Sequence, residues 1–383
     1  MNFDLNENQK MFRDMVRDFA TQEIAPIAHQ MDVESAMPDG LIAKMKDNGF
    51  FGLSFPEKYG GLGVDTLTYS LVVEELARAS AGVCVMITVH NSVGSYPLAM
   101  FGNEEVKEKI LPRMAAGEIA AFCVSEANAG SDAAAIATTA ARDGDEYVLD
   151  GSKMWVTNGA RAQFFVVLAR TPGTTGHDDI HALLVERDAP GLRVAKEEDK
   201  MGLRASDTCV LELDGVRVPA ENLLGKEGDG FKIAMTGLDS GRIGIGAQSV
   251  GVAQAAMDAA VKYAKQRQQF GQAISKFQGL RWTIADMATQ IEAARQLVLS
   301  AAAMKDNSQR YTAQASMAKL FASEMVNQVV GKALQMHGGY GYTKDYPVER
   351  FYRDARVFTI YEGTSEIQRV VISNHILKDT RRS

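Results

Sequence analysis

The chain has 383 residues, 46% of them hydrophobic and 23% charged, a composition typical of a folded globular protein and not of a disordered one. Its 41 basic and 48 acidic residues give a net charge of -7, and no run of Lys or Arg forms a basic stripe, so nucleic acid is not an expected partner. The 3 cysteines are far apart and odd in number, which indicates neither a disulfide framework nor a CxxC metal site.

The first third of the chain is predicted to be helical, because apolar residues recur there at three- and four-residue spacing. Gly and Pro residues, as in the connector at 56–63, indicate breaks between helices. The predicted helices cover residues 5–27, 41–48, 66–78, 88–100 and 104–115. We assign residues 1–117 to an N-terminal α-helical domain.

Residues 118–230 are predicted to form a middle β domain. An Asp150-Gly151 dipeptide between two apolar stretches predicts a hairpin with a two-residue primed turn. Further strands are expected over residues 164–169, 180–186, 192–195 and 208–218. Short strands separated by Gly, Pro and Asp are typical of a small barrel or sandwich.

Residues 231–383 are predicted to form a C-terminal four-helix bundle, so that the whole chain is an α+β multidomain protein. Its helices are expected over residues 233–266, 278–305 and 312–337, with a shorter one from Ser365. Many alanines on these helices permit close contact between helices and between subunits.

The segment 361–369 places one carboxylate, Glu362, on a turn that follows apolar residues. Burial among such residues raises the pKa of a carboxyl group, which makes it a better base near neutral pH. Gly363 permits a bend, and Thr364 or Ser365 can cap the helix that follows. An ordinary acid stabilised by the helix dipole is the alternative that this segment leaves open.

The usual nucleotide and esterase motifs are missing: no GxGxxG follows a strand, and neither a GxxxxGK[ST] loop nor a GxSxG elbow occurs. His177 and His181 have a spacing that a metal site could use, but they flank a Gly- and Thr-rich loop. We therefore expect a solvated loop there and no bound metal.

Two neighbouring segments of the β domain suit a flat, polar cofactor. Hydroxyl and backbone N–H groups follow an apolar strand at 122–132, a suitable cradle for a phosphate or polar ring. Trp155 and Thr157 share one side of a strand because they are two residues apart. A core tryptophan next to a surface threonine is the alternative.

The long helices carry three further segments with candidate roles. Asp239 or Ser240 could cap the first bundle helix, and Arg242 could bind an internal acid. Arg267 near its end would complement the helix dipole, and turn chemistry alone would explain the glycines at 338–341.

Together, six ordered segments resemble the acyl-CoA dehydrogenase family over essentially the whole chain: residues 122–132, 154–159, 239–243, 267–271, 335–341 and 361–369. The resemblance implies the three domains above with FAD bound between them, and usually a homotetramer built as a dimer of dimers. It also implies an acyl-CoA substrate and an electron-transfer flavoprotein as electron acceptor, in fatty acid β-oxidation or branched-chain amino acid catabolism.

The resemblance also assigns roles to individual residues. Glu362 would be the base that takes the α-proton while flavin N5 accepts the β-hydride, giving a trans-2-enoyl-CoA. The substrate would be bound by Ser131, Asp239, Arg242 and Gly363. FAD would be held by Phe122, Val124, Ser125, Gly130, Ser131, Trp155, Val156, Thr157, Arg267, Gln269, Phe270, Gln278, Gln335, Gly338, Gly339, Thr364 and Glu366.

Some family members carry the base one residue before the helix-start arginine, a position that here is Gly241. A glycine cannot be a base, so the chain resembles the short-chain, medium-chain or short-branched members, and the segment 239–245 is most similar to that of the short-chain and 2-methyl-branched ones. Ser125 and Ala127 stand where many members have Thr and Pro. A 2-methyl-branched substrate, a diverged flavin oxidase or desulfinase, and a non-catalytic scaffold remain alternatives, and the acyl length cannot be inferred from the sequence.

The expected location is the cytoplasm, or the mitochondrial matrix if a leader has been removed. No apolar run reaches the ~18 residues of a membrane span, and the charged residues 2–10 resemble neither a signal nor a transit peptide. We therefore expect no membrane partner.

Overall fold

Helices form the first part of the fold. In this computed structural model, which describes residues 5–379, they span Glu7–Phe19 (α1), Ala28–Glu34 (α2), Asp39–Asp47 (α3), Thr66–Ala79 (α4), Ala81–Val89 (α5), Tyr96–Phe101 (α6) and Glu104–Ala115 (α7). Asp65 caps α4 by accepting a hydrogen bond from Thr68 N at 2.6 Å. Buried residues cover most of α4, because it packs between α1 and the C-terminal helices.

The single helix predicted over residues 88–100 is wrong. The structure has two helices, α5 and α6, separated by a π-helical turn at His90–Gly94. Ser80 caps α5 by accepting a hydrogen bond from Val83 N, and Pro97 lies in the first turn of α6, where a proline is tolerated. The helix therefore begins earlier, at Ala81, and is interrupted sooner, at His90, than the spacing of apolar residues predicted.

The middle domain contains a mixed sheet, which confirms the predicted β domain. Its strands are Ala120–Cys123 (β1), Thr139–Asp143 (β2), Glu146–Thr157 (β3), Phe164–Arg170 (β4), Ile180–Glu186 (β5), Leu192–Glu197 (β6), Thr208–Pro219 (β7) and Leu223–Leu224 (β8). The strand order is β6-β7-β3-β2-β4-β5-β8, and β1 pairs with β4 in parallel. Because β1 leads directly into the loop of residues 124–130, this pairing fixes where that loop begins.

The predicted hairpin turn at Asp150-Gly151 is wrong, because both residues lie inside the continuous strand β3. The hairpin joins β2 to β3, with Asp143 paired to Glu146. The dipeptide instead lies beside an irregularity in the pairing of β3 with β7, where Gly215 N donates to Asp150 Oδ1 at 2.8 Å. Tight turns and β-bulges favour similar residues, glycine among them. The sequence alone therefore could not distinguish a turn at Asp150-Gly151 from an irregularity in the pairing with β7.

The last part of the chain is helical, as predicted. Its helices are Gly230–Gln266 (α8), Gln278–Asp306 (α9), Thr312–His337 (α10), Val348–Ala355 (α11) and Ser365–Asp379 (α12), and a small hairpin of Gln268–Gln269 (β9) and Gln272–Ala273 (β10) follows α8. Helix α11 was not predicted. Helix α8 packs closely on α4 at Gly251, where a Cβ would come within 2.2 Å of Glu74 O.

One hydrophobic core joins the N-terminal and C-terminal helices, since its buried residues come from α1, α4, α5 and α8 to α11. Ion pairs across this junction include Arg295 with Glu74 at 2.9 Å and Arg353 with Asp32 at 2.6 Å. The loop before α12 therefore lies against a rigid support. Among the described residues, no helix is long and apolar enough to cross a membrane.

Candidate active site

Glu362 lies on a strained loop between the turn Arg356–Thr359 and α12. Its φ is +51°, which is uncommon for a residue with a side chain, and Gly363 follows with a φ of +89°. A Cβ at Gly363 would come within 2.7 Å of Gln368 Nε2, so the glycine is needed for space as well as for conformation. Thr364 caps α12 by accepting from Ile367 N at 3.3 Å, as predicted.

Two buried side chains hold this loop by its backbone. Lys319 Nζ of α10 donates to Gly363 O at 2.8 Å, and Gln368 Nε2 of α12 donates to the same oxygen at 2.9 Å. Both side chains are inaccessible to solvent. The carbonyl of Gly363 is therefore fixed from two sides, which sets the direction of the Glu362 side chain.

The Glu362 carboxylate faces helix α8 at Gly241. A Cβ at Gly241 would lie 2.2 Å from Glu362 Oε2, so the absence of a side chain there makes room for the acid. Oε2 is buried and has no hydrogen-bond partner among residues 5–379. Burial raises the pKa of Glu362 to about 7, while the nearby charges of Lys319 and Arg242 act in the opposite direction.

The alternative interpretation, an acid stabilised by the helix dipole, fits a different residue of the same segment. Glu366 is exposed in the first turn of α12, and hydrogen bonds from its own backbone N–H and from Thr364 lower its pKa. Glu362 has a raised pKa and an unpaired oxygen. Of these two acids, Glu362 has the properties of a base that works near neutral pH.

Aromatic and polar groups close the space around Glu362. Tyr361 Oη donates to Gln248 Oε1 at 2.9 Å, and its ring stacks on Phe358 with 5.7 Å between ring centroids. Arg242 is buried and forms an ion pair with Asp239, which also accepts from Thr312 Oγ1 at 2.6 Å. The predicted internal acid for Arg242 is thus Asp239.

The predicted helix cap at Asp239 or Ser240 is wrong. Helix α8 begins at Gly230, so both residues lie in its third turn. Their side chains make other contacts instead: Asp239 pairs with Arg242 on the same helix and accepts from Thr312 of α10, and Ser240 Oγ accepts from Lys305 Nζ of α9 at 2.7 Å. Asp and Ser are common N-cap residues, so their presence near the predicted helix start suggested a cap that the structure does not have.

A buried ion pair, which sequence reasoning missed, fixes the loop of residues 124–130 to β3. Lys153 Nζ and Glu126 Oε1 are 2.6 Å apart, and both side chains are buried. Glu126 also accepts from Ala137 N at 2.6 Å, and Met154 N donates to Ser125 O at 2.8 Å. A lysine directly before the stretch Met154-Trp155-Val156, in a strand predicted to lie in the sheet, was the available signal.

The flavin-contact residues that the resemblance predicts surround an open face of this sheet. Trp155 is 56% exposed, which contradicts the core-tryptophan alternative, and its φ of +55° occurs where β3 has an irregular register. Thr157 is half-buried, while Val156 between them is buried. The remaining members of this set are half-buried or exposed: Phe122, Val124, Ser125, Gly130 and Ser131.

A second group of predicted cofactor residues lines a cavity of about 620 Å³ at the ends of α8 and α10. Five of them lie in it together: Arg267, Gln269, Gln335, Gly338 and Gly339. Two others do not line it, since Phe270 is 92% exposed and Gln278 is exposed at the start of α9. The flavin-contact residues of the previous paragraph are called the Trp155 group: Phe122, Val124, Ser125, Gly130, Ser131, Trp155, Val156 and Thr157. None of them lines this cavity, so one chain carries the predicted FAD contacts in two separate places.

The structure does not bring the two candidate metal ligands, His177 and His181, to a metal site. His181 uses both ring nitrogens, one with Thr171 Oγ1 at 2.9 Å and one as acceptor from Gly228 N at 3.1 Å. The His177 ring packs edge-on against Phe231. Within the described part of the chain, no group of three or more His, Cys, Asp or Glu residues could hold a metal ion.

Comparison with family models gives three matches that together cover most of the chain. They are the N-terminal domain of acyl-CoA dehydrogenase at residues 6–118, the middle domain at 121–216 and the C-terminal domain at 228–377. Two bacterial relatives align along their full length. An acyl-CoA dehydrogenase of Bacillus subtilis is 48% identical and a short-chain specific acyl-CoA dehydrogenase of Clostridium acetobutylicum is 46% identical, covering 98% and 99% of this chain and 100% of each relative.

Solved structures show the same fold. Butyryl-CoA dehydrogenase from Megasphaera elsdenii has a TM-score of 0.96 at 43% identity and covers 98% of this chain and 100% of that one. A chain from work on the electron transferring flavoprotein of Acidaminococcus fermentans has a TM-score of 0.97 at 48% identity, with the same coverage. An acyl-CoA dehydrogenase complexed with FAD from Bacillus anthracis has a TM-score of 0.94 at 34% identity, covering 99% of this chain and 68% of that one.

Proposed function

The chain belongs to the acyl-CoA dehydrogenase family, an oxidoreductase family, and on that premise we propose that it converts a short-chain acyl-CoA to the trans-2-enoyl-CoA with Glu362 as the base. The observation that carries this proposal is the buried Glu362 carboxylate, whose Oε2 has no hydrogen-bond partner in the described part of the chain and whose pKa is raised to about 7. A carboxylate in that condition is poised to accept a proton from a substrate that excludes water.

The residues around Glu362 position the base and the thioester. The fixed carbonyl of Gly363 holds the loop, and Gly241 leaves the space that the carboxylate occupies. The Glu362 carboxylate would remove the proton from the carbon next to the thioester carbonyl, and the Glu362 N–H would donate to that carbonyl oxygen. Arg242, which follows Gly241 on α8 and whose charge acts on Glu362, and its ion-pair partner Asp239 would lie beside the CoA arm and the loop.

The cofactor of the family is FAD, and the chain's residues fit it. An exposed indole plane at Trp155 suits a flat ring, and Arg267 in the 620 Å³ cavity suits a pyrophosphate. Bound FAD supplies the acceptor for the β-hydride. Because the Trp155 group and this cavity are separate on one chain, we propose that each FAD is held by two subunits of a homotetramer, with Thr364 and Glu366 closing the site.

The short-chain assignment rests on the relatives, since Gly241 excludes only a base carried by α8. The Clostridium relative is named as short-chain specific and the Megasphaera structure as butyryl-CoA dehydrogenase. The description of the Acidaminococcus structure supports an electron-transfer flavoprotein as the acceptor. A 2-methyl-branched acyl-CoA and a diverged oxidase or desulfinase stay as the alternatives to be separated by experiment.

Anaerobic reduction by substrate tests the proposal. Protein purified with FAD should be yellow, should lose its colour on addition of butyryl-CoA, and should regain it when an electron-transfer flavoprotein is added. Faster bleaching by 2-methylbutyryl-CoA would favour the branched-chain alternative, and rapid peroxide formation in air would favour the oxidase. Holoprotein that none of these acyl-CoAs bleaches would overturn the proposed activity.

The activity should depend on pH through Glu362. Since burial raises the Glu362 pKa to about 7, the carboxyl group is protonated below that value and cannot accept the α-proton. We expect kcat/KM for butyryl-CoA to rise about tenfold per pH unit below pH 7 and to level off above it. FAD content and unfolding temperature measured across the same pH range serve as controls, and a profile flat between pH 5.5 and 8 would contradict the assignment.

A further inference from the structure

The side chains of Glu362 and Tyr69 face α8 at two positions that are one helical turn apart. Gly241 faces the Glu362 carboxylate, and a Cβ at Gly244 would lie 3.8 Å from Tyr69 Cε1 of α4. Positions three residues apart share one side of a helix and are separated by roughly 4.5 Å along its axis. The Tyr69 ring therefore stands beyond the carboxylate, across a stretch of helix that carries no side chains on that face.

The Tyr69 hydroxyl is an unexplained buried polar group. The side chain belongs to a residue that is 6% exposed, and Oη has no hydrogen-bond partner among the described residues. A buried hydroxyl without a partner is rare, because it loses its hydration without compensation. By contrast, Tyr361, the other tyrosine beside Glu362, has its hydroxyl bound to Gln248.

The charged and polar groups that act on Tyr69 place its hydroxyl near Glu362. Its pKa is raised well above the usual tyrosine value, first by burial and then by the Cys84 thiol and the Glu362 carboxylate. Tyr69, Cys84, Met86 and Ile243 belong to one core cluster of buried residues. The Tyr69 hydroxyl is therefore an unpaired polar group among buried, mostly apolar residues.

We propose that Tyr69 ends the acyl pocket and that its hydroxyl selects short acyl groups over longer ones. This inference rests on the proposed function. The single helical turn between Gly241 and Gly244 leaves room for the two carbons beyond the α-carbon of a butyryl group, with a water molecule at the hydroxyl. Two further methylenes would reach Tyr69 Oη and leave it buried against carbon, which disfavours the longer chain.

Two variants of Tyr69 separate the hydroxyl from the ring. Tyr69→Phe keeps the volume and removes the hydroxyl, and we expect the ratio of kcat/KM for hexanoyl-CoA to that for butyryl-CoA to rise about tenfold, equivalent to about 1.4 kcal/mol. Tyr69→Leu shortens the side chain and should raise the ratio further. Gly244→Ala adds a methyl group at ordinary contact distance from the ring and should lower it.

Tyr147→Phe is the matched control. Tyr147 is also a buried tyrosine, but its hydroxyl is bound to Glu227 at 2.6 Å and it lies in the core of the middle sheet. We expect this variant to keep the parent's chain-length ratio. Unchanged ratios in all the folded Tyr69 and Gly244 variants would overturn the inference while leaving the dehydrogenase activity in place.

Binding of the enoyl products gives a second readout that does not depend on turnover. Dissociation constants for crotonyl-CoA and trans-2-hexenoyl-CoA, measured by calorimetry on the holoprotein, should show the same tenfold change in preference in Tyr69→Phe. If the parent bleaches with no acyl-CoA, the proposed function fails and these binding ratios still decide the role of Tyr69. If neither product binds the parent, both proposals fail.

Discussion

Glu362→Gln should abolish the dehydrogenation of butyryl-CoA while the protein keeps its fold and its FAD. Glutamine has the size and shape of glutamate but cannot accept the α-proton, and positioned general bases contribute roughly 10²- to 10⁴-fold to rate. The Gly363 carbonyl, which Lys319 and Gln368 hold, is untouched by the change. We therefore expect a loss of that size in the rate of anaerobic bleaching, measured with saturating butyryl-CoA.

Glu324→Gln is the control for this loss. Glu324 is a partly exposed acid on the neighbouring helix α10, paired with Arg369 at 2.6 Å, and its change should leave the bleaching rate within about twofold, because surface ion pairs contribute little. A Glu362→Gln variant that bleaches at the parent's rate would remove Glu362 as the base.

The same variant gives a stability result with a defined sign. The folded-state pKa of Glu362, about 7, lies above the usual 4.5, so between these values the folded protein binds more protons than the unfolded chain and loses stability as pH rises. Above pH 7 the cost of the buried charge is fully present. Glu362→Gln should therefore unfold at a higher temperature than the parent at pH 8, with little difference at pH 4.5.

Periodicity predicted the long helices well, because each repeats its apolar face over many turns. The helix predicted at residues 312–337 has the bounds of α10, and that at 278–305 ends one residue before α9 does. Short or interrupted elements were predicted poorly. The π-helical turn at His90–Gly94 and the irregular register beside Gly151 depend on packing and on strand partners that no local pattern contains.

The candidate site was also predicted only in part: features set by neighbours in sequence were found, and features set by distant packing were missed. Apolar neighbours in sequence correctly suggested that the Glu362 carboxylate is shielded from water, and the glycine after it suggested the bend. The space that the acid occupies depends on Gly241, which is distant in sequence, and on the packing of α8 against the loop. Lys319 was missed because a buried lysine on a helix looks like a surface lysine until its carbonyl partner is known.

The Gly241 position also gives a physical reason why α8 and the late loop would be alternative places for the base, as the resemblance implies. A Cβ added at Gly241 would point directly at Glu362 Oε2. A side chain from α8 and a side chain from the late loop would therefore compete for one volume. Only one of the two positions can carry the acid, and the other must be small.

Gly241→Ala should disable the enzyme without damaging its fold. The new Cβ would lie 2.2 Å from Glu362 Oε2, and real contacts of this kind are not shorter than 3.0 Å, so something must move by nearly 1 Å. The obstacle is the end of a flexible side chain, so the carboxylate moves and the helix stays. A misplacement of about 1 Å can cost on the order of 10²-fold in rate, which is the loss we expect in anaerobic bleaching.

Gly279→Ala separates displacement of the base from a general effect of removing a helix glycine. Gly279 lies in the first turn of α9 with open space around its Cβ position, so its change should leave the rate unaltered. Alanine is favoured over glycine in helices by about 1 kcal/mol, so both variants should unfold at or above the parent's temperature. A fully active Gly241→Ala protein would mean that the carboxylate does not work from the position facing α8, and an unfolded one would mean that the helix, not the side chain, gives way.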